Sequence, residues 1–140
     1  MLTSDQLSVL NSKRILLASA SVNRQEILKK CGLTNFVVSP SNFAEDLPKD
    51  SFATSMDYVT KTCECKMLNK LAELEKMEGQ LANIVICADT IISFDNTVVV
   101  EKPLNDDHAF AMLRNICDRK HHEVYTSVWV AILDFQTQKP

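Results

Sequence analysis

A short stretch near the N-terminus, LLASASVNRQEIL over residues 16–28, combines the features of an anion-binding turn. Apolar residues at the end of a predicted strand lead directly into a predicted helix, so unpaired backbone N–H groups and the positive end of the helix dipole face the turn. Small side chains let an anion approach this backbone. Ser19 and Ser21 add hydroxyl donors, and Arg24 supplies a planar fork suited to phosphate oxygens. The alternative is a serine N-cap followed by a solvent-exposed arginine.

A second candidate is Asp89, which interrupts the apolar segment ICADTIISF over residues 86–94. Burying an acid costs free energy unless it is paired, coordinated, or placed at the carboxyl end of a strand facing a cleft, where open α/β sheets bind ligands. The alternative is an acid at a bulge that hydrogen-bonds to Thr90. Lys102 lies just before the rigid break at Pro103. Alone it is a weak indication, because most such lysines are solvated.

The elements that must position these side chains alternate between strand and helix, which predicts an α/β protein. We predict helices over about residues 3–10, 21–31, 51–77 and 105–116, and strands over 14–19, 35–39, 84–94, 97–100 and 124–135. Gly32 and Gly79 end the second and third helices, and Asp95 and Asn96 form the turn of a hairpin. The apolar residues predicted to face the core from the long third helix are Met56, Val59, Cys63, Met67, Leu71 and Leu74.

Composition indicates one soluble domain. The chain has 140 residues, 46% of them hydrophobic, which suffices for a core. Its net charge of -3 provides no basic field for nucleic acid, and no apolar segment is long enough to span a membrane. The first fifteen residues lack the apolar core of a signal peptide. The 5 cysteines are odd in number and include no Cys-x-x-Cys, so we expect reduced core thiols in a cytoplasmic protein.

A series of ordered segments resembles the signature of the Maf family of nucleoside triphosphate pyrophosphatases. These segments are SASVNRQEIL, FAEDLP, CECKM, ICADTIISF, EKPLNDDHAFAMLRNI and HEVYTSV, and they span residues 14–130. The resemblance implies an elongated mixed β-sheet with flanking helices in two lobes, related to the inosine-triphosphate pyrophosphatase fold. It also implies hydrolysis of a nucleoside triphosphate to the monophosphate and pyrophosphate with Mg²⁺ or Mn²⁺, a house-cleaning role in the cytoplasm, and a possible homodimer.

The same resemblance implies roles for residues that bind the phosphates. Ser21 and Arg24 occupy the family's Ser-x-x-Arg positions, which hold the phosphate chain. Lys66 matches a lysine that the family flanks with alanines, although Cys63 and Met67 are its neighbours here. Lys102 matches the lysine of the Lys-Pro motif. Together the three cations are expected to offset the charge of the triphosphate.

Other matched residues concern catalysis and base selection. Asp89 matches the proposed general base and is also a potential metal ligand, and Glu45 matches an acid that binds metal or water. Thr90 occupies a substrate-discriminating position and follows the pattern of dTTP/UTP pyrophosphatases. Asn23 stands where the family usually has an arginine implicated in choosing the base. The expected substrate is therefore dTTP or UTP, with weaker discrimination than in relatives that keep this arginine.

The family's domain continues beyond the point where this sequence stops, so we expect a domain over residues 1–140 that lacks the C-terminal strands. We also expect these residues alone to be poorly soluble or inactive. The alternative function is a nucleotide-binding regulatory protein, linked to cell division, with lost or weak turnover. Asn23 favours that alternative, whereas the retained Asp89, Lys66 and Lys102 favour the enzyme.

Overall fold

The computed structural model describes residues 2–77, 82–100 and 102–133. Within these residues helices and strands alternate, which confirms the predicted α/β class. Helices are α1 Ser4–Asn11, α2 Val22–Lys30, α3 Ser55–Glu75 and α4 Asp106–Arg119, with a short 3-10 turn at Lys49–Ser51. Strands are β1 Ile15–Leu17, β2 Phe36–Val38, β3 Ile84–Phe94, β4 Val98–Val100 and β5 Glu123–Ile132.

The strands form one mixed sheet. Its hydrogen-bonded path runs β2-β1-β3-β4, and β5 also pairs with β3. β1 is parallel to β2 and to β3, and α2 supplies the crossover that parallel neighbours require between β1 and β2. β4 is antiparallel to β3, and Asp95 and Asn96 between them both have φ 53. These positive angles suit the two central positions of a β-turn, which the Thr97 backbone N–H closes by donating a 3.1 Å hydrogen bond to the Phe94 carbonyl, so the predicted hairpin is confirmed.

The described residues form two compact units, each with its own buried cluster. Unit 1 contains the chain up to Ala44, Cys63–Ala88 and the residues from Val128 onward, whereas unit 2 contains Glu45–Thr62 and Asp89–Ser127. The core of unit 1 consists of Leu16, Ala18, Cys63, Met67, Leu74, Ala82, Val85, Cys87, Ala131 and Leu133. The core of unit 2 consists of Tyr58, Val59 and Ile91, against which Leu47, Phe52, Val99 and Tyr125 pack.

Helix boundaries follow the predicted signals at most ends. Ser21 is the N-cap of α2, and Gly32 follows this helix with φ 86, a conformation that glycine adopts without strain. Asn105 caps α4 by accepting a hydrogen bond of 2.8 Å from the His108 backbone N–H. The same helix runs to Arg119 rather than to about residue 116, and Lys120 takes the left-handed cap position that glycine usually occupies. Gly79 lies outside the described residues.

The long helix α3 starts later than predicted. Thr54 caps it by accepting a 3.1 Å hydrogen bond from the Asp57 backbone N–H, so the helix begins at Ser55 rather than near Ser51. Most of the predicted apolar stripe is buried or packed against the core. Met56 is 51% exposed, and its assignment to the core is wrong. Ser55 occupies the buried position in that turn instead, where it accepts a 2.7 Å hydrogen bond from the Ser93 hydroxyl.

The last strand and the cysteines depart in part from the predictions. The strand predicted over residues 124–135 is β5, whose residues alternate in exposure, and Val124, Val128, Val130 and Ile132 are exposed. The two-residue period of a strand explains this pattern, because it places alternate side chains on one face. The cysteines are all free thiols, as predicted, but only Cys63 and Cys87 are fully buried, and Cys31 and Cys117 are exposed.

A buried lysine ties the segment after β2 to α3 within unit 1. The Lys70 side chain is only 4% exposed and pairs with Glu73 one turn along the helix. Its ammonium also donates a 3.3 Å hydrogen bond to the Ser39 hydroxyl. Glu73 in turn accepts a 3.4 Å hydrogen bond from the Asn42 backbone N–H. The hydrogen bond from Lys70 holds the pKa of Glu73 below its ordinary value, and partial burial opposes this effect.

This pairing predicts a specific acid sensitivity. Because the pKa of Glu73 is lowered in the folded state, its stabilisation is complete above the unfolded-state pKa of about 4.3 and is lost as the pH falls through the folded-state pKa. Glu73→Gln should lower the free energy of unfolding by about 1–3 kcal/mol at pH 7, since Lys70 then lacks its carboxylate. The difference from wild type should shrink below about pH 4, as measured by denaturant unfolding across pH.

The matched control is Glu26→Gln, which breaks an exposed pair with Lys29 that is 2.9 Å long. This change should cost no more than about 0.5 kcal/mol at any pH. An equal loss in both variants, or a Glu73→Gln effect that does not depend on pH, would contradict the assigned role of the buried pair.

Candidate functional site

Ser19 is the centre of a hydrogen-bonded group at the turn between β1 and α2. Its hydroxyl oxygen accepts a 2.8 Å hydrogen bond from Arg24 Nη1 and a 3.3 Å hydrogen bond from the Ser21 backbone N–H. Ser21 caps α2 through its own hydroxyl, which accepts from the Arg24 backbone N–H at 3.4 Å. Ser19 is buried, and Arg24 is half-buried. The guanidinium is therefore held at the N-terminus of α2, where the helix dipole favours an anion.

The structure brings Ser19, Ser21 and Arg24 together at this turn, but it gives Ser19 a different part from the one expected. Ser19 was expected to act as a donor beside Ser21, yet here it accepts from two neighbours and orients Arg24. A hydroxyl has one donor and two acceptor lone pairs, so its O–H is the remaining hydrogen-bonding function. The signal available in the sequence was the row of alternating small residues after a buried strand. Asn23, on the first turn of α2, is exposed.

Lys66 and Arg24 both influence the same buried thiol in unit 1. The pKa of Cys87 is raised above its ordinary value, mainly by a hydrogen bond with Cys63 and by burial. The charges of Lys66 and Arg24 oppose this increase in the pKa of Cys87. Lys66 is buried on α3. Two of the predicted phosphate-binding cations, Arg24 and Lys66, therefore belong to unit 1.

Asp89 and Thr90 belong to unit 2 and lie in the middle of β3. Asp89 is buried within this apolar strand and is not without an interaction partner. The parallel pairing of β3 with β1 ends at Ile86, shortly before Asp89. Thr90 is exposed, and its hydroxyl lies 3.0 Å from the Thr126 hydroxyl on β5. Thr126 was not predicted as a site residue.

Glu45 and Lys102 are also in unit 2, where the structure brings them together. Lys102 Nζ lies 3.2 Å from Glu45 Oε2, and the two side chains are 86% and 38% exposed. An exposed ion pair of this kind contributes little to stability and separates readily. A ligand can therefore compete for either charge of this ion pair. Glu101, between β4 and Lys102, lies outside the described residues.

An apolar pocket of about 460 Å³ lies in unit 2. Thr90 and Lys102 are the polar residues among those that line it. The remaining wall is formed by Ile91, Ile92, Val100, Pro103, Ala109, Met112, Leu113 and Ile116. A volume of this size is typical of small-molecule sites, in which a few polar groups fix the orientation of a ligand.

The carboxylates fit a metal that is shared with a substrate. In the part of the chain that the structure describes, no group of three or more His, Cys, Asp or Glu side chains is arranged to hold a metal ion. A cage made by the protein alone is thus absent there. Mg²⁺, however, usually binds one or two carboxylates together with water and substrate phosphates. Glu45 and Asp89 suit that second type of site.

Comparison with known proteins decides the family. The model of the Maf-like protein family matches residues 14–140, which is most of the chain. The chain belongs to the Maf family. The resemblance noted in the ordered sequence segments is thereby confirmed.

Several relatives in this family carry names that state an activity. A probable bifunctional dTTP/UTP pyrophosphatase/methyltransferase protein of Homo sapiens is 41% identical over 116 residues, which are 83% of this chain and 18% of that protein. A dTTP/UTP pyrophosphatase of Schizosaccharomyces pombe is 35% identical over 88% of this chain and 51% of its own length. A nucleoside triphosphate pyrophosphatase of Dictyostelium discoideum is 35% identical over 95% of this chain and 60% of its own length. The chain thus spans at most about three fifths of these Maf relatives.

One solved structure was also aligned with the chain, and the helices were considered as membrane spans. A nucleoside-triphosphatase / dITP/XTP pyrophosphatase from Mycobacterium abscessus aligns over 86% of this Maf chain and 74% of its own, with a TM-score of 0.38 and 11% identity. Among the helices of residues 2–77, 82–100 and 102–133, none combines the length and apolar character needed to cross a membrane.

Proposed function

We propose that this Maf protein hydrolyses a nucleoside triphosphate to the monophosphate and pyrophosphate. The observation that carries the proposal is the Arg24 guanidinium held 2.8 Å from the Ser19 hydroxyl at the N-terminus of α2, in the unit that also contains the buried Lys66. A fixed fork, an ammonium and a helix N-terminus together suit a polyphosphate. The names of relatives at 35–41% identity support the same reaction class.

The reaction requires charge neutralisation more than covalent chemistry. The attacked phosphorus is surrounded by negative oxygens, so positioning and electrostatic stabilisation dominate phosphoryl transfer. In this proposal Arg24 binds the phosphate chain through two N–H groups, and Ser21 donates its hydroxyl to a phosphate oxygen. Lys66 and Lys102 each contribute one further positive charge. Lys102 leaves Glu45 in order to do so, which costs little because their pair is exposed.

Asp89 is proposed as the general base. Its carboxylate accepts a proton from the water that attacks phosphorus, and the bond that breaks is the one between phosphorus and the bridging oxygen of the departing group. Glu45 and Asp89 are the residues that would hold a divalent cation. When bound, such an ion would offset charge on the phosphate oxygens and lower the pKa of a bound water.

The proposed substrate is a pyrimidine triphosphate, dTTP or UTP. Thr90 carries this choice, and Asn23 supplies an amide that both donates and accepts toward a base edge. Asn23 has no charge and a shorter reach than arginine, so discrimination should be limited. We expect kcat/KM for dTTP or UTP to exceed that for dGTP or dATP by about 10-fold, a ratio typical of one or two hydrogen bonds.

A pyrophosphate-release assay over a panel of nucleotides tests this proposal in the protein produced from its native coding sequence. The same assay distinguishes the alternative of a nucleotide-binding regulatory protein, which would bind the panel without turnover. A preference for a purine triphosphate would refute the proposed substrate while leaving the reaction class in place. Binding without release of pyrophosphate from any nucleotide would refute the enzyme.

A further inference from the structure

Two threonine hydroxyls are in contact across the sheet, and one of them belongs to Thr90, the residue proposed to select the base. Thr90 on β3 and Thr126 on β5 lie with their hydroxyl oxygens 3.0 Å apart, although 36 positions separate them in the sequence. β5 and β3 are paired strands, so the contact rests on sheet register rather than on a flexible loop. Both side chains are exposed, and both lie in unit 2.

Stability alone gives little reason for this contact. A threonine pair at an exposed position of a sheet adds only a small stabilisation, since each hydroxyl would otherwise bond to water. The contact has a larger effect on the hydrogen bonds that the Thr90 hydroxyl can make. A threonine hydroxyl has one proton and two lone pairs, and its proton rotates to suit its partners. The bond to Thr126 commits either the proton or one lone pair of Thr90, and therefore biases which function Thr90 presents elsewhere.

The surroundings of Thr90 make it important for ligand binding whether its hydroxyl donates or accepts. Thr90 lines the apolar pocket of unit 2, in which Lys102 is the other polar residue of the wall. In a mostly apolar site, discrimination between ligands depends on the few polar groups and on their orientation. A lysine ammonium donates only, whereas a threonine hydroxyl either donates or accepts. The orientation of the Thr90 hydroxyl is thus the adjustable polar feature of this wall.

We infer that Thr126 is a positioning residue that orients the Thr90 hydroxyl and thereby tunes base selection. The inference rests on the proposed function, because it deepens the role given to Thr90. Thr126 itself is not assigned contact with the substrate. Its effect should therefore appear in KM and in the ratio between nucleotides, and should be small in kcat.

The test uses four variants of the protein: Thr126→Val, Thr126→Ser, Thr90→Val and the double valine variant. Valine keeps the branched shape and the strand propensity of threonine, so the fold should be retained. Thr126→Val should raise KM for the preferred nucleotide by about 3- to 10-fold, as expected for loss of one hydrogen bond. Its kcat should stay within about 2-fold of wild type, because the inferred effect is on nucleotide binding. Thr126→Ser should restore KM, because it keeps the hydroxyl.

The double variant provides the sharpest readout. If Thr126 acts only through Thr90, then adding Thr126→Val to Thr90→Val should change neither KM nor the dTTP to dGTP ratio of kcat/KM. Melting temperatures of the variants should agree, which separates orientation from damage to the sheet. Additive effects in the double variant, or an unchanged KM and ratio in Thr126→Val, would overturn the inference.

The design also separates this inference from the proposed function. If wild type turns over dTTP normally and Thr126→Val matches it, the inference alone fails. If wild type hydrolyses no nucleotide, the proposed function fails, and the same variants are compared by calorimetric binding of the α,β-methylene analogues of dTTP and dGTP. A dissociation-constant ratio that moves in Thr126→Val and returns in Thr126→Ser sustains the inference. A ratio that does not move, or no binding at all, overturns it.

Discussion

Replacing Asp89 with asparagine is expected to lower turnover by about 100-fold or more, the usual contribution of a general base. Asparagine keeps the shape of the side chain and one hydrogen-bonding oxygen, but it removes both basicity and negative charge. Nucleotide binding should largely survive, because Arg24 and Lys66 still provide positive charge. The measurements are kcat from pyrophosphate release and Kd from calorimetry on one purified variant.

The same variant distinguishes a catalytic role of the Asp89 carboxylate from a structural role. Asp89 is buried, and asparagine keeps its size and one hydrogen-bonding oxygen, so the melting temperature should change little. Asp95→Asn is the matched control: it makes the same chemical change at an exposed turn position with φ 53, which asparagine tolerates. That control should retain full turnover. A lower melting temperature with normal turnover in Asp89→Asn would identify a structural acid instead.

Removing the Arg24 guanidinium should weaken nucleotide binding by about 10- to 100-fold, the cost of losing charge-assisted hydrogen bonds. Arg24→Ala eliminates both the charge and the fork, whereas Arg24→Lys keeps the charge alone. Lysine cannot reproduce the bidentate geometry or the 2.8 Å contact with the Ser19 hydroxyl, so it should recover only part of the affinity. Calorimetric titration with the α,β-methylene analogue of dTTP measures the effect without turnover.

Lys29→Ala is the control for charge at the same helix. Lys29 lies in the last turn of α2, is 55% exposed, and pairs with Glu26, so its removal changes net charge without touching the turn at Ser19. Affinity should change by less than about 2-fold, as expected for a screened surface charge. An equal loss of affinity in Lys29→Ala and Arg24→Ala would show that α2 contributes only a diffuse positive field.

Sequence patterns predicted most of the elements that surround these residues. The bounds of β3 agree with the predicted residues 84–94, because a long apolar run with β-branched residues is bounded by a clear turn at Asp95 and Asn96. Two helices begin at side-chain caps, Ser21 and Asn105, and α2 is followed by Gly32 in a positive-φ conformation that glycine adopts readily. The grouping of Ser21 and Arg24 at one turn likewise follows from local spacing.

These patterns could not predict interactions between segments that are distant in the sequence. The periodicity of α3 placed Met56 in the core, but the buried positions of this helix also include the polar residues Ser55, Lys66 and Lys70. Their burial depends on partners from elsewhere in the chain, such as Ser93 for Ser55 and Ser39 for Lys70. The contact of Thr90 with Thr126 depends on strand register in the same way. Apolar periodicity carries no information on such pairs.

The identity of the products tests the central claim most directly. Incubating the protein with dTTP and Mg²⁺ and following the reaction by ³¹P NMR should show dTMP and pyrophosphate in equal amounts, without orthophosphate at early times. The same signals should be strongly reduced in Asp89→Asn. Formation of dTDP and orthophosphate, or no products from dTTP or UTP by a protein that binds them, would contradict the account.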